Sequence, residues 1–365
     1  MNVPKLRFKE FKDDYIKLRY KDVLKIKSGK DQKQVEDKNG KYPILGTGGQ
    51  IGKTNSFLYD KPSVLIGRKG TINKPQYMES PFWTVDTLFY SHIYEPNIPK
   101  YLFYSFQNVN WKKYDESTGV PSLSSSTIES VECSIPSPDE QIKIANFLSL
   151  LDKKIELQTK KIEDLKLFKK GLIDYISKNI ETEKIPLKNI LVEQNYKTTK
   201  NNEYEILSST AKGIYLQKDY FNKQAASDNN IGYKILKKNQ LVLSPQNLWM
   251  GNININKEYN IGIVSPSYKV FNINDNIDIN FFNYWIKSAK ALYKYKISSE
   301  QGASIVRRNL NMDLFYEIVA DIPKGKWQNE IGKIIKLLDL KVQYNENSLQ
   351  KLLDLKKGLM QNMFV

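Results

Sequence analysis

One stretch of this chain occurs twice, 187 residues apart and without a gap. Residues 135–176, IPSPDEQIKIANFLSLLDKKIELQTKKIEDLKLFKKGLIDYI, lie on residues 322–363, IPKGKWQNEIGKIIKLLDLKVQYNENSLQKLLDLKKGLMQNM. The two Ile-Pro pairs, Gln141 and Gln328, the Leu-Leu-Asp of 150–152 and 337–339, and the Lys-Lys-Gly-Leu of 169–172 and 356–359 all coincide. A chain of 365 residues that repeats at about half its length reads as a duplicated module, and its length leaves room for a core in each half.

Each copy predicts one long helix. In the first, Leu148, Ile155 and Ile162 recur at every seventh position, with Ile144, Leu151 and Leu165 on the second seam. In the other copy Ile335, Val342 and Leu349 recur in the same way, with Ile331, Leu338 and Leu352 beside them. Both stripes break at matching places, by Gln158 or Asn345 and by Lys169 or Lys356. A polar residue in a seam costs stability and fixes register, so matched breaks point to two helices built to pair with each other as an antiparallel coiled coil. The alternative is an amphipathic helix that packs only on its own domain. A helix of this length spans roughly 55 Å, enough to hold two domains well apart.

The segments between the helices are of another kind. From Tyr42 to Tyr94 the apolar residues come in short bursts, YPILGT, SVLIG and TLFYSHIY, separated by Gly, Pro, Asn and Ser, the pattern of short strands and turns. A helical patch at 100–109 and the serine-rich turn STGVPSLSSSTIES lead to the first repeat. The second module follows the same order more loosely. Tyr204-Glu-Ile-Leu-Ser-Ser echoes Tyr42-Pro-Ile-Leu-Gly-Thr, Gly251-Asn-Ile-Asn echoes Gly70-Thr-Ile-Asn, and Phe281-Phe-Asn-Tyr echoes Tyr101-Leu-Phe-Tyr. The expected fold class is α+β: two β-rich domains at 1–136 and 181–323, each followed by a long helix, at 137–180 and 324–365, related by a pseudo-twofold axis. The helices are alike and the globular parts have diverged, as expected if the helices do the same job and the globular parts different ones.

Fifty-six Lys and Arg against forty Asp and Glu give a formal charge of +16, which favours a polyanionic partner. Arginine occurs only at 7, 19, 68, 307 and 308. Lysine therefore carries the excess, and an AT-rich genome would produce the same bias. No run of 18 or more apolar residues is present and the opening MNVPKLRFKEFKDD is charged throughout, so the expectation is a soluble, cytoplasmic chain with no membrane partner. One cysteine, Cys133, and one histidine, His92, make neither a staple nor a zinc pair and are expected to be packing residues. No metal site and no catalytic residue is expected.

Enzyme signatures are missing: no phosphate loop, no G-x-G-x-x-G after a strand, and no Pro-Pro of the methyltransferase loop Asp/Asn-Pro-Pro-Tyr. Pro138-Asp139 followed by Asp164-Leu165-Lys166 fits a loose metal-nuclease pattern, but two acids about 37 Å apart along one helix cannot share an ion. Candidate DNA contacts sit in loops instead. Gly67-Arg68-Lys69-Gly70-Thr71-Ile72-Asn73 brings Arg68, Lys69, Thr71 and Asn73 together between glycines; Arg68 has the fork for guanine O6 and N7. The aligned place in the second module, Ser244 to Gly251, offers Gln246 and Asn247 for adenine edges and Trp249 to stack or wedge, unless Trp249 is a core residue. Arg307 and Arg308, after the turn at Gln301, and the basic Lys53 and Lys212 complete the set.

These features together resemble the specificity (S) subunit of type I restriction-modification systems. The resemblance rests on IPSPDEQIKIANFLSLLDKKI, the later Lys-Lys-Gly-Leu, the runs YPILGTGGQIG and LIGRKGTI, and the second helix copy, and it covers essentially the whole chain. The second copy departs at its head, where Lys326-Trp327-Gln328 replaces Asp-Glu-Gln. The resemblance implies two target recognition domains, each reading half of a split site on double-stranded DNA, with the paired helices as spacer. It implies assembly with two copies of an adenine-N6 methyltransferase subunit and with a restriction subunit that translocates and cuts DNA. S-adenosylmethionine, ATP and Mg²⁺ then belong to those partners, and this chain binds no cofactor. A coiled-coil scaffold with an incidental basic surface remains the competing reading.

Overall fold

The computed structural model describes residues 3–220, 229–301 and 308–365. It divides into two compact units, residues 1–161 with 346–365, and residues 162–345. In the first, β1 (Leu24–Lys27), β2 (Ser63–Gly67), β3 (Gln76–Met78) and β4 (Leu88–Ile93) form an antiparallel sheet in the order β1-β4-β2-β3. A smaller sheet joins Tyr42–Gly46 to Gly49–Thr54 and to Trp83–Thr84. The apolar bursts are strands because their residues fill both faces: all five residues of β2 are buried. Behind the main sheet lies α1 (Pro99–Asn108), which opens on a proline whose missing N–H costs nothing there and buries Tyr101, Leu102, Tyr104 and Phe106. Cys133 is buried in this core as expected. His92 packs at the surface, not in the core: it is exposed on β4, where alternation turns it outward, its ring meets those of Tyr59 and Tyr94 edge-on at 6.0 and 5.9 Å, and its Nδ1 lies 3.3 Å from the Tyr59 hydroxyl.

The second unit repeats this plan. Its sheet of β5 (Leu191–Gln194), β6 (Leu241–Leu243), β7 (Ile253–Ile255) and β8 (Lys269–Ile273) has the order β5-β8-β6-β7, the order of the first sheet. Each module is closed by a matching antiparallel pair, Ile16–Arg19 with Glu132–Ile135 and Thr182–Pro186 with Val319–Pro323. Among the short helices hidden from the sequence patterns are Ser125–Ser130, inside the serine-rich turn, and Ala289–Ile297. Both are started by a serine cap, Ser124 accepting from Thr127 N and Ser288 from Ala291 N.

The two repeat segments are α2 (Pro138–Asn179) and, after α3 (Ile279–Trp285), α4 (Trp327–Met363). Asp139 and Asp164 both fall within α2. In the first unit Leu148 and Leu151 of α2 are buried and Ile155 and Gln158 half-buried, while Leu349 and Leu352 of α4 are half-buried. In the second unit Ile162, Ile335 and Asn345 are buried and Leu165, Leu338 and Val342 half-buried. The helices run antiparallel within each unit: Asp152 of α2 pairs with Lys356 of α4 in one, and Lys169 of α2 with Asp339 of α4 in the other. Asn345, buried in the seam, donates to Lys341 O one turn back.

Candidate nucleic-acid interface

The β2–β3 loop is held by its backbone. A Cβ on Gly67 would meet Thr71 O at 2.4 Å, and Gly70 has φ +89°, so the turn closes only with glycine at both places. Arg68 N donates to Thr87 O at 2.8 Å, Gly70 N to Pro121 O at 2.8 Å, and Leu123 N to Arg68 O at 3.0 Å. With the main chain satisfied, Arg68, Lys69 and Asn73 stand exposed and Thr71 half-buried. Lys53 is exposed on the strand Gly49–Thr54, and Gln76 of β3 ties that hairpin's tip by donating to Gly46 O at 2.9 Å.

The β6–β7 loop joins the corresponding strands of the second sheet and also carries a glycine at positive φ. Gly251 has φ +87°, close to the +89° of Gly70, and closes the 3-10 turn Leu248–Met250, a turn that the β2–β3 loop lacks. Gln246 is exposed; the backbone carbonyl of Asn247 accepts from Met250 N and Asn252 N, leaving its side chain half-buried. Trp249 is not a core residue. It is half-buried, and the Arg308 guanidinium lies over its ring at 5.3 Å. Arg308 N also donates to Gln246 O at 3.2 Å, and its Nη1 to Ser299 O at 3.2 Å. Gln246, Trp249 and Arg308 are therefore brought together, but the guanidinium is partly committed to its own protein. Arg307 lies outside the described residues.

Lys212 is exposed in the turn between Leu207–Thr210 and Gly213–Leu216. A residue without a sequence signature of its own joins that turn to the β6–β7 loop: Lys287 Nζ donates to Gly251 O at 2.8 Å and Ala211 O at 3.2 Å. Burial pushes its ammonium down to about 8. Its only mark in the sequence is its place at the end of the aromatic helical run FFNYWIK. Below the turn, Asn252 accepts from Ser209 Oγ at 2.8 Å and Asn254 donates to it at 2.7 Å, a polar ladder that stiffens the loop base.

Residues 12–167 match the family described as the type I restriction modification DNA specificity domain. Over those residues the chain is similar to that domain. Among curated relatives, the type I restriction enzyme EcoDI specificity subunit of Escherichia coli is 24% identical over 162 residues, 42% of this chain and 36% of that one. The MjaIX specificity subunit of Methanocaldococcus jannaschii is 33% identical over 128 residues, 32% of this chain and 29% of that one. The chain thus covers about a third of the length of these relatives. The type I S subunit of M. genitalium has the same fold across 100% of this chain and 99% of its own, with TM-score 0.67 and 17% identity. A chain from a structure concerned with complex assembly and conformational transition of the type I system aligns over 95% of this chain and 96% of its own, with TM-score 0.51 and 9% identity.

Proposed function

We propose that this chain is the noncatalytic DNA-specificity subunit of a type I restriction-modification complex, reading a bipartite, asymmetric site with one half per unit. The observation that carries the reading is one sheet made twice, with the loop at the same topological position equipped differently. That loop joins the second and third strands of identically ordered sheets, carries a glycine at φ +89° or +87°, and presents Arg68, Lys69 and Asn73 in one unit and Gln246 in the other. A shared frame with unlike side chains is what two half-sites of different sequence require, with Arg68 suited to guanine and Gln246 to adenine.

The helices support docking of two methyltransferase subunits. Outside the seam, Phe147, Leu150 and Leu157 are exposed, and so are Ile334, Leu337 and Tyr344, their equivalents 187 residues on. Leu150 is 72% and Leu337 66% exposed, an apolar patch at the same repeat positions in each unit that suits two copies of one partner. S-adenosylmethionine, ATP and Mg²⁺ are assigned to the methyltransferase and restriction partners. The test is to exchange residues 1–140 for the matching segment of a relative, express the chimera with the methyltransferase subunit, and sequence the methylome. One half of the methylated sequence changes and the other stays; a change in both halves, or in neither, refutes the modular reading.

A further inference from the structure

In the second unit, β7, α3 and the turn carrying Lys212 enclose a cleft of about 250 Å³. Three lysines line it, Lys212, Lys257 and Lys287, together with Asn254, Asn283 and one carboxylate, the exposed Glu258. Lys257 Nζ donates to Asn280 Oδ1 at 2.9 Å, and Asp339 and Asp278 offset the burial of its charge. Lys287 is different: its two acceptors are the neutral carbonyls of Gly251 and Ala211, and desolvation alone accounts for its lowered pKa. An ammonium has three protons, and these carbonyls take two of them. A partly desolvated cation held by carbonyls is stabilised by an anion arriving beside it.

Resting on the specificity-subunit reading, we propose that this cleft holds one backbone phosphate of the DNA read by the second unit, gripped by Lys287 and Lys212 with Lys257 adding positive potential. The position suits the task. Lys287 already fastens the end of the reading loop at Gly251 and the Lys212 turn at Ala211, so a phosphate seated there fixes the loop's register on the duplex while the bases are read by other groups. The site belongs to one half only. On the alignments of Gly251 with Gly70 and of Phe281 with Tyr101, Lys257 and Lys287 fall on Gln76 and Gln107, neither of them charged.

The experiment is a salt titration of duplex binding by the full chain and its variants Lys212→Gln, Lys287→Gln and Lys287→Arg. Each Gln variant is expected to lower affinity several-fold for all sequences alike and to flatten the slope of log K against log salt by about 0.9, the loss of one phosphate contact. Lys287→Arg keeps the slope. Unchanged slopes in both Gln variants, beside a steep wild-type slope, overturn the phosphate site and leave the specificity reading standing; a wild-type chain whose binding ignores salt overturns both. If Lys287→Gln fails to fold, Lys212→Gln decides, because Lys212 is exposed. A second arm maps acylation of Lys287 by mass spectrometry. Protection by duplex and not by inorganic phosphate at matched ionic strength is expected; equal protection by inorganic phosphate makes this a free-anion site and overturns the DNA assignment.

Discussion

Lys356 and Asp152 meet at 2.6 Å, and the residues one repeat away, Lys169 and Asp339, form the same ion pair. The agreement extends to a third residue. Lys356 lies 5.5 Å from the Tyr104 ring centre and Lys169 5.9 Å from that of Tyr284, and these tyrosines occupy the same place in the echoed helices. In the first unit Tyr104 also donates to Asp152 Oδ2 at 2.8 Å, and burial raises its own pKa. What the sequence presents as a lysine interrupting an apolar stripe is one half of a charge pair whose other half is the aspartate of the facing Leu-Leu-Asp. Leucines are interchangeable along a seam, whereas a half-buried lysine is satisfied at one register only, so these pairs fix how the helices align.

A double-mutant cycle with Lys356→Met and Asp152→Asn is expected to give a coupling of about 1 kcal/mol in urea unfolding of the first unit. The cycle on Lys169 and Asp339 gives less, because the Asp339 side chain is 51% exposed against 35% for Asp152. Reversing both members, Lys356→Asp with Asp152→Lys, recovers most of what either single reversal loses. Zero coupling in both cycles would mean that the pairs are incidental to register.

Gln141 and Gln328 coincide in the repeat because they perform one task. Gln141 accepts from Ile98 N at 2.9 Å and donates to Pro136 O at 3.0 Å; Gln328 accepts from Asp278 N at 2.9 Å and donates to Asn276 O at 2.9 Å. Ile98 and Asp278 are the N-cap residues of α1 and α3, so each glutamine ties the head of its long helix to the head of the shorter one. Gln141 is buried and Gln328 half-buried. Replacing Gln141 with Ala strands buried backbone groups and costs about 2 kcal/mol, while Gln328→Ala costs less because water reaches the groups it leaves. Equal losses in chemical denaturation would contradict that difference in burial.

The duplication, the long helices and the strands of the first module were legible because each depends on residue pattern: a repeat without gaps, a seven-residue period, and apolar bursts between turn residues. The serine-capped helices escaped because Ser124 and Ser288 sit in polar or mixed runs, where a cap matters more than periodicity. The two candidate loops were marked by Gly70 and Gly251, whose positive φ a sequence can announce. What flanks those loops was not legible. Arg308 reaches Trp249 across 59 positions, and Lys287 reaches Ala211 across 76. Contacts of that kind are settled by tertiary packing, and no local pattern encodes them.

On the proposed reading Arg68 is the candidate base contact, while Arg308 supports the β6–β7 loop. Arg68→Ala is expected to cost about 1–3 kcal/mol in DNA affinity and to relax a single position of the methylated sequence, as loss of a bidentate guanine contact does. Arg308→Ala removes a ring contact and a hydrogen bond to Ser299 O, so it loosens the β6–β7 loop and weakens the second half-site as a whole without relaxing one base. Methylome sequencing distinguishes the two patterns. A single relaxed position in the Arg308 variant would make that guanidinium a direct reader.

Lys287 also gives the second unit a pH signature of definite sign. Its pKa is about 8 in the folded chain against an ordinary 10.5, so between those values the unfolded chain binds a proton that the folded chain has released. Below pH 8 both states are charged and the cost of burying the ammonium is borne in full; as pH rises toward 10.5 that cost disappears and stability increases. Buried tyrosines such as Tyr20 and Tyr295 act in the opposite sense above about pH 10, where they ionise on unfolding and remain neutral when folded. The comparison that isolates the lysine is therefore wild type against Lys287→Met over pH 7 to about 9.5, below the tyrosine range. Wild-type stability climbs relative to the variant across this window. Parallel curves would mean that the Lys287 ammonium is hydrated in the folded state, which would also remove the desolvation that makes an anion welcome beside it.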